Sequence, residues 1–376
     1  MTIKYIGSKR RLVPALGALC ERVGAQTALD LFTGTTRVAQ EFKRQGATVT
    51  AVDAARYSEV LARCYVATDA REVDQAALAH ALERLNGLPG RAGYVTETFC
   101  VKSRYFQPFN GERIDAVRQA IADDHAGSPL EALLLTSLLE AADRVDSTTG
   151  LQMAYLKQWS PRSYQPLELR APELLPGLGH AIRGDALTLA PALPPTDLAY
   201  LDPPYNQHRY FTNYHVWETL VAWDAPDHYG VACKRADARD PATHSPFNRR
   251  QEMAGALATV VSAIDARVLV VSFSDEGWVP IEDLVAMCAD RGEVRVVAFP
   301  SKRYVGAQIG IYNPQGKRVG RVSHLRNTEY LVVAGRPAAV RCAVGDDLSR
   351  PLPGALPAPL PQSALPSPRS RPLRRG

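Results

Sequence analysis

The tetrapeptide Asp202-Pro203-Pro204-Tyr205 carries groups suited to chemistry on a planar amine. It directly follows an apolar run, 197–201, which predicts a buried strand. Two successive prolines restrict the backbone and remove two N–H donors, so the loop presents a carboxylate, free carbonyls and an aromatic ring. The Asp202 carboxylate and the Pro203 carbonyl can each accept one hydrogen of an adenine-like amine, while Tyr205 stacks on the base. Accepting both hydrogens favours the nucleophilic form of the nitrogen in a transition state. A plain turn after a strand is the alternative interpretation of these four residues.

A second group of residues indicates a nucleotide-like ligand. The segment from Asp30 to Gly34 ends a predicted strand, 27–32, and Asp53 ends the next one, 48–52. Ligands of open α/β sheets bind beyond the carboxyl ends of the strands, and a carboxylate placed like Asp53 suits ribose hydroxyls. The glycines that a pyrophosphate requires are missing. A cofactor with an adenosine and no phosphates fits better, and S-adenosylmethionine is one.

These two motifs, preceded by Lys4-Tyr5-Ile6-Gly7-Ser8-Lys9, resemble in type and order the D12 class of N6-adenine-specific DNA methyltransferases, the family of Dam-type enzymes. The resemblance covers roughly residues 1–335. It implies S-adenosylmethionine as cofactor and double-stranded DNA as substrate, with the target adenine flipped out of the duplex. It also implies membership of a restriction-modification system, with a cognate restriction endonuclease as a candidate partner.

The resemblance assigns site residues one by one. Tyr5, Gly7 and Lys9 lie against the cofactor, with Lys9 facing the methionine carboxylate, and Asp185 of a short Gly-Asp-Ala segment lies near the cofactor adenine. The predicted catalytic residues are Asp202, Pro203, Pro204 and Tyr205, and the predicted cofactor-binding residues are Tyr5, Gly7, Lys9, Asp30, Phe32, Gly34, Asp53, Asp185 and Asp202. Thr36 departs from the pattern, because many relatives have a second glycine there, so a looser cofactor contact is expected. The mechanism requires no histidine, so His215 is interpreted as structural.

The elements that must position these residues predict an α/β fold: a Rossmann-like methyltransferase domain with a mostly parallel sheet and an antiparallel edge strand. Further strands are expected at 267–273, 294–299 and 329–333. Helices are expected at 37–45, 249–263 and 281–289. The domains are predicted as a catalytic domain (1–59 and 176–335), a helical target-recognition insertion (60–175) and a disordered Pro/Arg-rich tail (336–376). Ser128 is predicted to cap a helix of the insertion. Deletion of 337–376 is expected to spare catalysis.

Several regions are candidates for contacting DNA. The aromatic and polar stretch 206–215 suits a flipped nucleotide and its phosphates. The basic segment from Lys302 to Asn327 is predicted to form a hairpin or loop on the DNA side. Candidates for base or phosphate contacts within the insertion are Lys102, Arg104, Gln107, Asn110, Arg113 and Arg118.

The chain as a whole limits the classes of protein to consider. Six scattered cysteines without a C-x-x-C pair argue against a zinc site and against a disulfide framework, so no metal is expected. A net charge of +5 is mild. A cytoplasmic protein without a membrane association is predicted, as a monomer or weak dimer. Two alternatives remain open, an RNA adenine-N6 methyltransferase and a non-catalytic DNA-binding protein of the same fold, whereas Asp202 disfavours methylation of protein glutamine.

Overall fold

The fold centres on one seven-stranded sheet. The computed structural model describes residues 3–5, 9–302, 311–312, 318–320, 326–345 and 351–356. The strands of the sheet are β1 (Thr27–Leu31), β2 (Thr48–Asp53), β3 (Gly179–Arg183), β4 (Thr196–Leu201), β5 (Ala266–Ser274), β6 (Glu293–Lys302) and β7 (Arg326–Gly335). Their order across the sheet is β3-β2-β1-β4-β5-β7-β6. Two short antiparallel ribbons pair His228–Tyr229 with Lys234–Arg235 and Ile311–Tyr312 with Arg318–Gly320. The second ribbon lies in the predicted hairpin region, of which 303–310, 313–317 and 321–325 are outside the described residues.

The mostly parallel α/β sheet is confirmed, with two corrections. β7 runs antiparallel to both β5 and β6, so the antiparallel strand lies one place inside the edge rather than at it. The edge strand β3 was not predicted, because its half-buried sequence lacks the apolar run of the other strands. Register brings Leu31 of β1 opposite Leu201 of β4 and Val52 of β2. The residues that follow these three strands therefore meet at one edge of the sheet.

Helices cover both faces of the sheet. They are α1 (Val13–Val23), α2 (Arg37–Arg44), α3 (Arg56–Ala62), α4 (Gln75–Gly87), α5 (Pro108–His125), α6 (Glu131–Val145), α7 (Ala186–Leu189), α8 (Tyr210–Asn213), α9 (His215–Ala222), α10 (Met253–Ala263), α11 (Ile281–Cys288) and α12 (Pro337–Val344). Alternate β4 residues face opposite cores: Leu198 packs with α1, α2 and α12, whereas Ala199 packs with α10 and α11. In the part of the chain that the structure describes, no helix is both long and apolar enough to cross a bilayer.

The segment 60–175, all of it described, contains helices and no strand. Its apolar core also includes residues from outside the segment, such as Tyr57 of α3 and Trp217 of α9. The predicted serine cap is wrong: α6 begins at Glu131, and the Glu131 carboxylate accepts a hydrogen bond from the Gly127 amide instead. The helical core therefore draws on chain segments that adjoin both predicted motifs.

The prediction of disorder from residue 336 onward is wrong for the first part of that tail. Residues Pro337–Val344 form α12, which packs on α1 with Val340 fully buried. Leu352 is also buried, and the Leu356 amide donates a hydrogen bond to the Ala298 carbonyl at 2.9 Å. The high proline content of the tail obscured a short apolar helix whose first residue, Pro337, suits a helix start.

Two deletions are expected to differ in their effect on stability. Removing 357–376 should leave the unfolding transition unchanged, because a segment dominated by proline and arginine, with no acidic residue, has too little apolar area to offset the entropy of ordering it. Removing 336–376 should lower the free energy of unfolding by about 3 kcal/mol or more, because burial of Val340 and Leu352 is lost. Thermal unfolding of the two truncated proteins measures the difference, and equal transitions would contradict the packing of α12.

Candidate active site

A cleft at the carboxyl ends of β1 and β4 brings most of the predicted site residues together. It is lined by Tyr5, Lys9, Asp30, Phe32, Thr33, Gly34, Thr35, Arg37, Val38, Tyr200 and Asp202. Asp53 adjoins the cleft through a hydrogen bond from the Gly34 amide to its carboxylate, at 2.9 Å. Asp185 lies outside the lining, exposed, where it accepts hydrogen bonds from the Leu187 and Thr188 amides and caps α7. Gly7 lies outside the described residues.

The turn after β1 holds an unusual backbone conformation. Phe32, Gly34 and Thr36 have φ values of 72°, 52° and 61° respectively. Phe32 and Thr36 are strained there, at a cost of about 1–3 kcal/mol each, and surrounding contacts must hold them. The Phe32 ring packs edge-on against Phe247, with 5.0 Å between centroids. Thr36 thus takes the conformation that a glycine would adopt without strain, and its hydroxyl accepts a hydrogen bond from Gln40 at 2.9 Å.

The buried carboxylate of Asp30 and the half-buried carboxylate of Asp53 fix the conformation of this turn. The Asp30 carboxylate accepts hydrogen bonds from the Thr33 hydroxyl at 2.8 Å and the Ala39 amide at 3.0 Å, and burial raises its pKa to about 7. Asp53 accepts from the Gly34 and Ala55 amides, both at 2.9 Å, and burial raises its pKa as well. Both side chains therefore position the cleft, and Asp53 joins β2 to the turn that follows β1.

Aromatic rings form one wall of the cleft. The Tyr5 ring lies against Gly34, where an added Cβ would meet the ring at 3.1 Å. It stacks on Tyr214 at 4.6 Å and on Tyr210 at 5.3 Å between centroids, and its hydroxyl lies 3.3 Å from that of Tyr57. Gly34 is therefore required both for its positive φ and for the space that Tyr5 occupies.

The Asp202–Tyr205 loop follows β4 and brings Asp202 into the lining of the cleft. The Asp202 amide donates a hydrogen bond to the Leu31 carbonyl at 3.4 Å, which ties the loop to the end of β1. The Tyr205 carbonyl accepts from the Trp278 amide at 3.3 Å, and its ring packs against Phe273. These contacts fix the loop at both ends, as the two prolines between them predict.

One buried ammonium links the loop to a carboxylate of β7. The Lys9 Nζ lies 3.1 Å from Asp202 Oδ1 and 3.7 Å from Glu329 Oε2, and the Lys9 side chain is 4% exposed. The same Nζ lies 5.6 Å from the centre of the Tyr205 ring. Lys9, which was predicted to face the cofactor carboxylate, is therefore already paired with two protein carboxylates.

The charges of this cluster shift its pKa values. Burial raises the pKa of Asp202 to about 6, with Lys9 opposing the rise and Glu329 adding to it. Burial would lower the pKa of Lys9, but the two carboxylates outweigh it and raise that pKa well above its ordinary value. Lys9 therefore stays charged, whereas Asp202 takes up a proton as the pH falls through about 6.

Comparison with known proteins decides what this arrangement belongs to. A family described as D12 class N6 adenine-specific DNA methyltransferase matches residues 5–287, which span the cleft, the helical segment and the Asp202–Tyr205 loop. The chain belongs to this family.

Curated members resemble the D12 chain over most of its length. The Type II methyltransferase M.NlaIII of Neisseria lactamica is 28% identical over 317 residues, which cover 80% of this chain and 92% of that protein. The Type II methyltransferase M.FokI of Planomicrobium okeanokoites is 26% identical over 80% of this chain, which spans 50% of M.FokI. The modification methylase StsI of Streptococcus sanguinis is 27% identical, and the chain spans 49% of it.

In this D12 methyltransferase, hydrogen bonds with other parts of the chain hold the segment that follows the Asp202–Tyr205 loop. The Asn248 side chain donates hydrogen bonds to the Asn206 and His208 carbonyls at 2.8 and 3.0 Å. Arg209 donates to the Ala238 carbonyl at 2.6 Å. His215 is fully buried, with its Nε2 lying 3.0 Å from the Gln152 carbonyl, and burial lowers its pKa to about 3. The interpretation of His215 as structural agrees with this placement.

Three of the candidate DNA-contacting residues of the helical segment stabilise the fold instead. Asn110 is fully buried and donates to the Ser163 and Gln165 carbonyls. Arg118 donates to the Leu220 and Val221 carbonyls at the end of α9, and Arg113 donates to carbonyls at the end of α4. These three predictions are corrected. The other three candidates remain predicted DNA contacts, because they are partly or fully exposed: Lys102, Arg104 and Gln107.

Sequence reasoning missed Glu329, Arg37 and Asn248 as members of the D12 site. Glu329 follows β4 by well over a hundred residues, and only the antiparallel placement of β7 brings it to Lys9. Arg37 follows the turn directly, but nothing in the sequence distinguishes the first residue of a helix as one that lines a binding cleft. The only signal for Glu329 was an acidic residue directly before the apolar run 330–334.

Proposed function

We propose that this protein transfers a methyl group from S-adenosylmethionine to N6 of a flipped adenine in double-stranded DNA. One observation carries the proposal: the Asp202 carboxylate lies in the same cleft as the turn Phe32–Thr36, on a loop fixed at both ends. An amine acceptor and an adenosine-type turn therefore share one space. Family membership selects the adenine amine among the planar amines that this loop suits.

The residues present fit S-adenosylmethionine. The turn lacks the glycines of a pyrophosphate site, and Tyr5 fills the space beside Gly34 with an aromatic wall. Tyr5, Phe32 and Gly34 would surround the cofactor, with Asp53 at the edge near its ribose. When bound, S-adenosylmethionine supplies a methyl group on a positively charged sulfur. Gly7 and Asp185 remain predicted cofactor contacts.

The catalytic loop supplies acceptors and a stacking surface. The Asp202 carboxylate and the Pro203 carbonyl accept the two hydrogens of the adenine amine, and Tyr205 stacks on the base. Because these groups are fixed before the substrate arrives, little reorganisation is needed as charge develops on the nitrogen. Asp202 acts as an acceptor in its ionised form, so activity depends on a carboxylate whose pKa is about 6.

The remaining functional assignments rest on this reaction. Flipping the base costs a few kcal/mol, which contacts to the flanking duplex must supply. We place sequence recognition in the helical segment 60–175, and we keep a cognate restriction endonuclease and a monomeric or weakly dimeric state as parts of the proposal. A cytoplasmic location follows from a genomic DNA substrate.

The substrate class is tested by transfer of radiolabel from S-adenosylmethionine to double-stranded DNA, to RNA and to a protein extract, each incubated separately with the full chain. Label is expected in DNA. Label in RNA alone would favour the RNA alternative. A folded protein that binds DNA and transfers no label to any substrate would favour the non-catalytic alternative.

A further inference from the structure

Lys9, the cation predicted to bind the methionine carboxylate of the cofactor, already forms ion pairs with protein carboxylates. Lys9 Nζ lies 3.1 Å from Asp202 and 3.7 Å from Glu329, so one positive charge is shared by two carboxylates. With both ionised, this cluster has a net charge of −1. A third carboxylate brought to Lys9 would therefore meet net repulsion in a site shielded from water.

A second cation of the cleft, Arg37, has no partner among the residues that the structure describes. Arg37 is the first residue of α2, follows the turn directly, and lines the cleft with Gly34 and Thr35. Its guanidinium forms no hydrogen bond or ion pair with any residue that the structure describes, and its Nε is buried without an acceptor. The Lys9 Nζ also lacks a well-aligned hydrogen bond, but unlike Arg37 it lies within ion-pair distance of two carboxylates. Glu140, the carboxylate that acts to raise the pKa of Arg37 against the lowering by burial, accepts a hydrogen bond from the Tyr65 hydroxyl at 2.6 Å.

An unpartnered guanidinium nitrogen that lines a cleft favours the binding of an anion there. Burial of the Arg37 Nε–H without an acceptor is unfavourable, and an incoming carboxylate recovers that cost. Arginine suits the task because its planar fork of donors matches the two oxygens of a carboxylate. The positive end of α2, where Arg37 lies, favours the same charge.

We propose that Arg37 binds the carboxylate of the methionine moiety of S-adenosylmethionine, which leaves Lys9 to hold Asp202 and Glu329. This inference rests on the proposed function, since it concerns how the methyl donor is anchored. It divides the two cations of the cleft between two tasks: Arg37 recognises the donor, and Lys9 positions the acceptor carboxylate.

The test compares two ligands that differ by the proposed contact. S-adenosylhomocysteine retains the amino-acid portion, whereas methylthioadenosine keeps the adenosine and lacks both the α-carboxylate and the α-ammonium group. Calorimetric titration of the full chain should show that Arg37→Met weakens binding of S-adenosylhomocysteine about 10- to 100-fold and leaves that of methylthioadenosine unchanged. Arg37→Lys should weaken binding of S-adenosylhomocysteine by a smaller factor than Arg37→Met does. Arg11→Met, which removes an exposed charge that does not act on Arg37, should alter neither.

Other results would overturn the assignment. Equal losses for both ligands, in an Arg37→Met protein whose unfolding temperature is unchanged, would show that Arg37 only shapes the cleft. A selective loss of S-adenosylhomocysteine in Lys9→Met, with none in Arg37→Met, would return the role to Lys9. If the folded wild-type protein bound neither ligand, the proposed function itself would fail, which is distinct from either outcome.

Discussion

Asp202→Ala is expected to lower kcat for DNA methylation by about 10³-fold, the scale on which loss of one preorganised polar group affects a transition state. The substitution removes the acceptor that the loop presents in the cleft, while the Pro203 carbonyl and the Tyr205 ring remain. The protein should stay folded, because Lys9 keeps Glu329 as a partner at 3.7 Å. Single-turnover methylation measures the loss, and thermal unfolding and DNA binding serve as controls.

Asp202→Asn is the matched variant. It keeps one acceptor oxygen and removes the charge, so the rate should fall less, by about 10-fold, as expected for one weakened hydrogen bond. Because asparagine does not titrate, the decline of the wild-type rate below pH 6 should disappear. Near wild-type turnover by Asp202→Ala would refute the role of this side chain.

Lys9→Met is expected to shift the acid limb of the pH–rate profile upward by about one unit or more, the effect of losing an opposite charge beside a carboxylate. In the wild type, Lys9 lowers the pKa of Asp202 and Glu329 raises it, and the result is about 6. Without the ammonium, burial and Glu329 act unopposed, so Asp202 is protonated at higher pH. Activity that requires the ionised form is then lost near neutral pH and recovered under alkaline conditions.

Glu329→Gln provides the opposite test of the same cluster. Removing its negative charge removes one cause of the raised pKa, so the acid limb should move to lower pH. Profiles of kcat against pH for both variants give the two shifts. A merely structural role for Lys9 and Glu329 would lower the rate at every pH without shifting the limb, and shifts of the same sign would contradict the electrostatic account.

The strands and motifs of the site could be predicted because their signals are local. Apolar runs precede both Asp202 and the Phe32–Thr36 turn, and each run predicts a buried strand. Parallel pairing of the two strands places their carboxyl ends together. The chemistry of the Asp202–Tyr205 loop follows from its residue types. The choice of adenine in DNA came from family resemblance, which the match over 5–287 confirms.

Other parts depend on contacts between distant segments, which a sequence does not display. The pairing of Lys9 with Glu329 requires β7 to lie antiparallel beside β5. Asn110 and Arg118 resemble exposed polar residues in the sequence, yet both turn inward to satisfy carbonyls at the ends of loops and helices. The prediction of a disordered tail was wrong for its first part for a related reason, because the average composition of the tail concealed the apolar face of α12.

The central claim is that the Asp202 loop directs methylation to the N6 atom of adenine. It is tested most directly by mass spectrometry of nucleosides from double-stranded DNA incubated with the protein and S-adenosylmethionine that carries a deuterated methyl group. The account predicts labelled N6-methyl-2′-deoxyadenosine with the wild-type protein and almost none with Asp202→Ala. Label in a methylated cytosine, or equal label in adenine with both proteins, would contradict it.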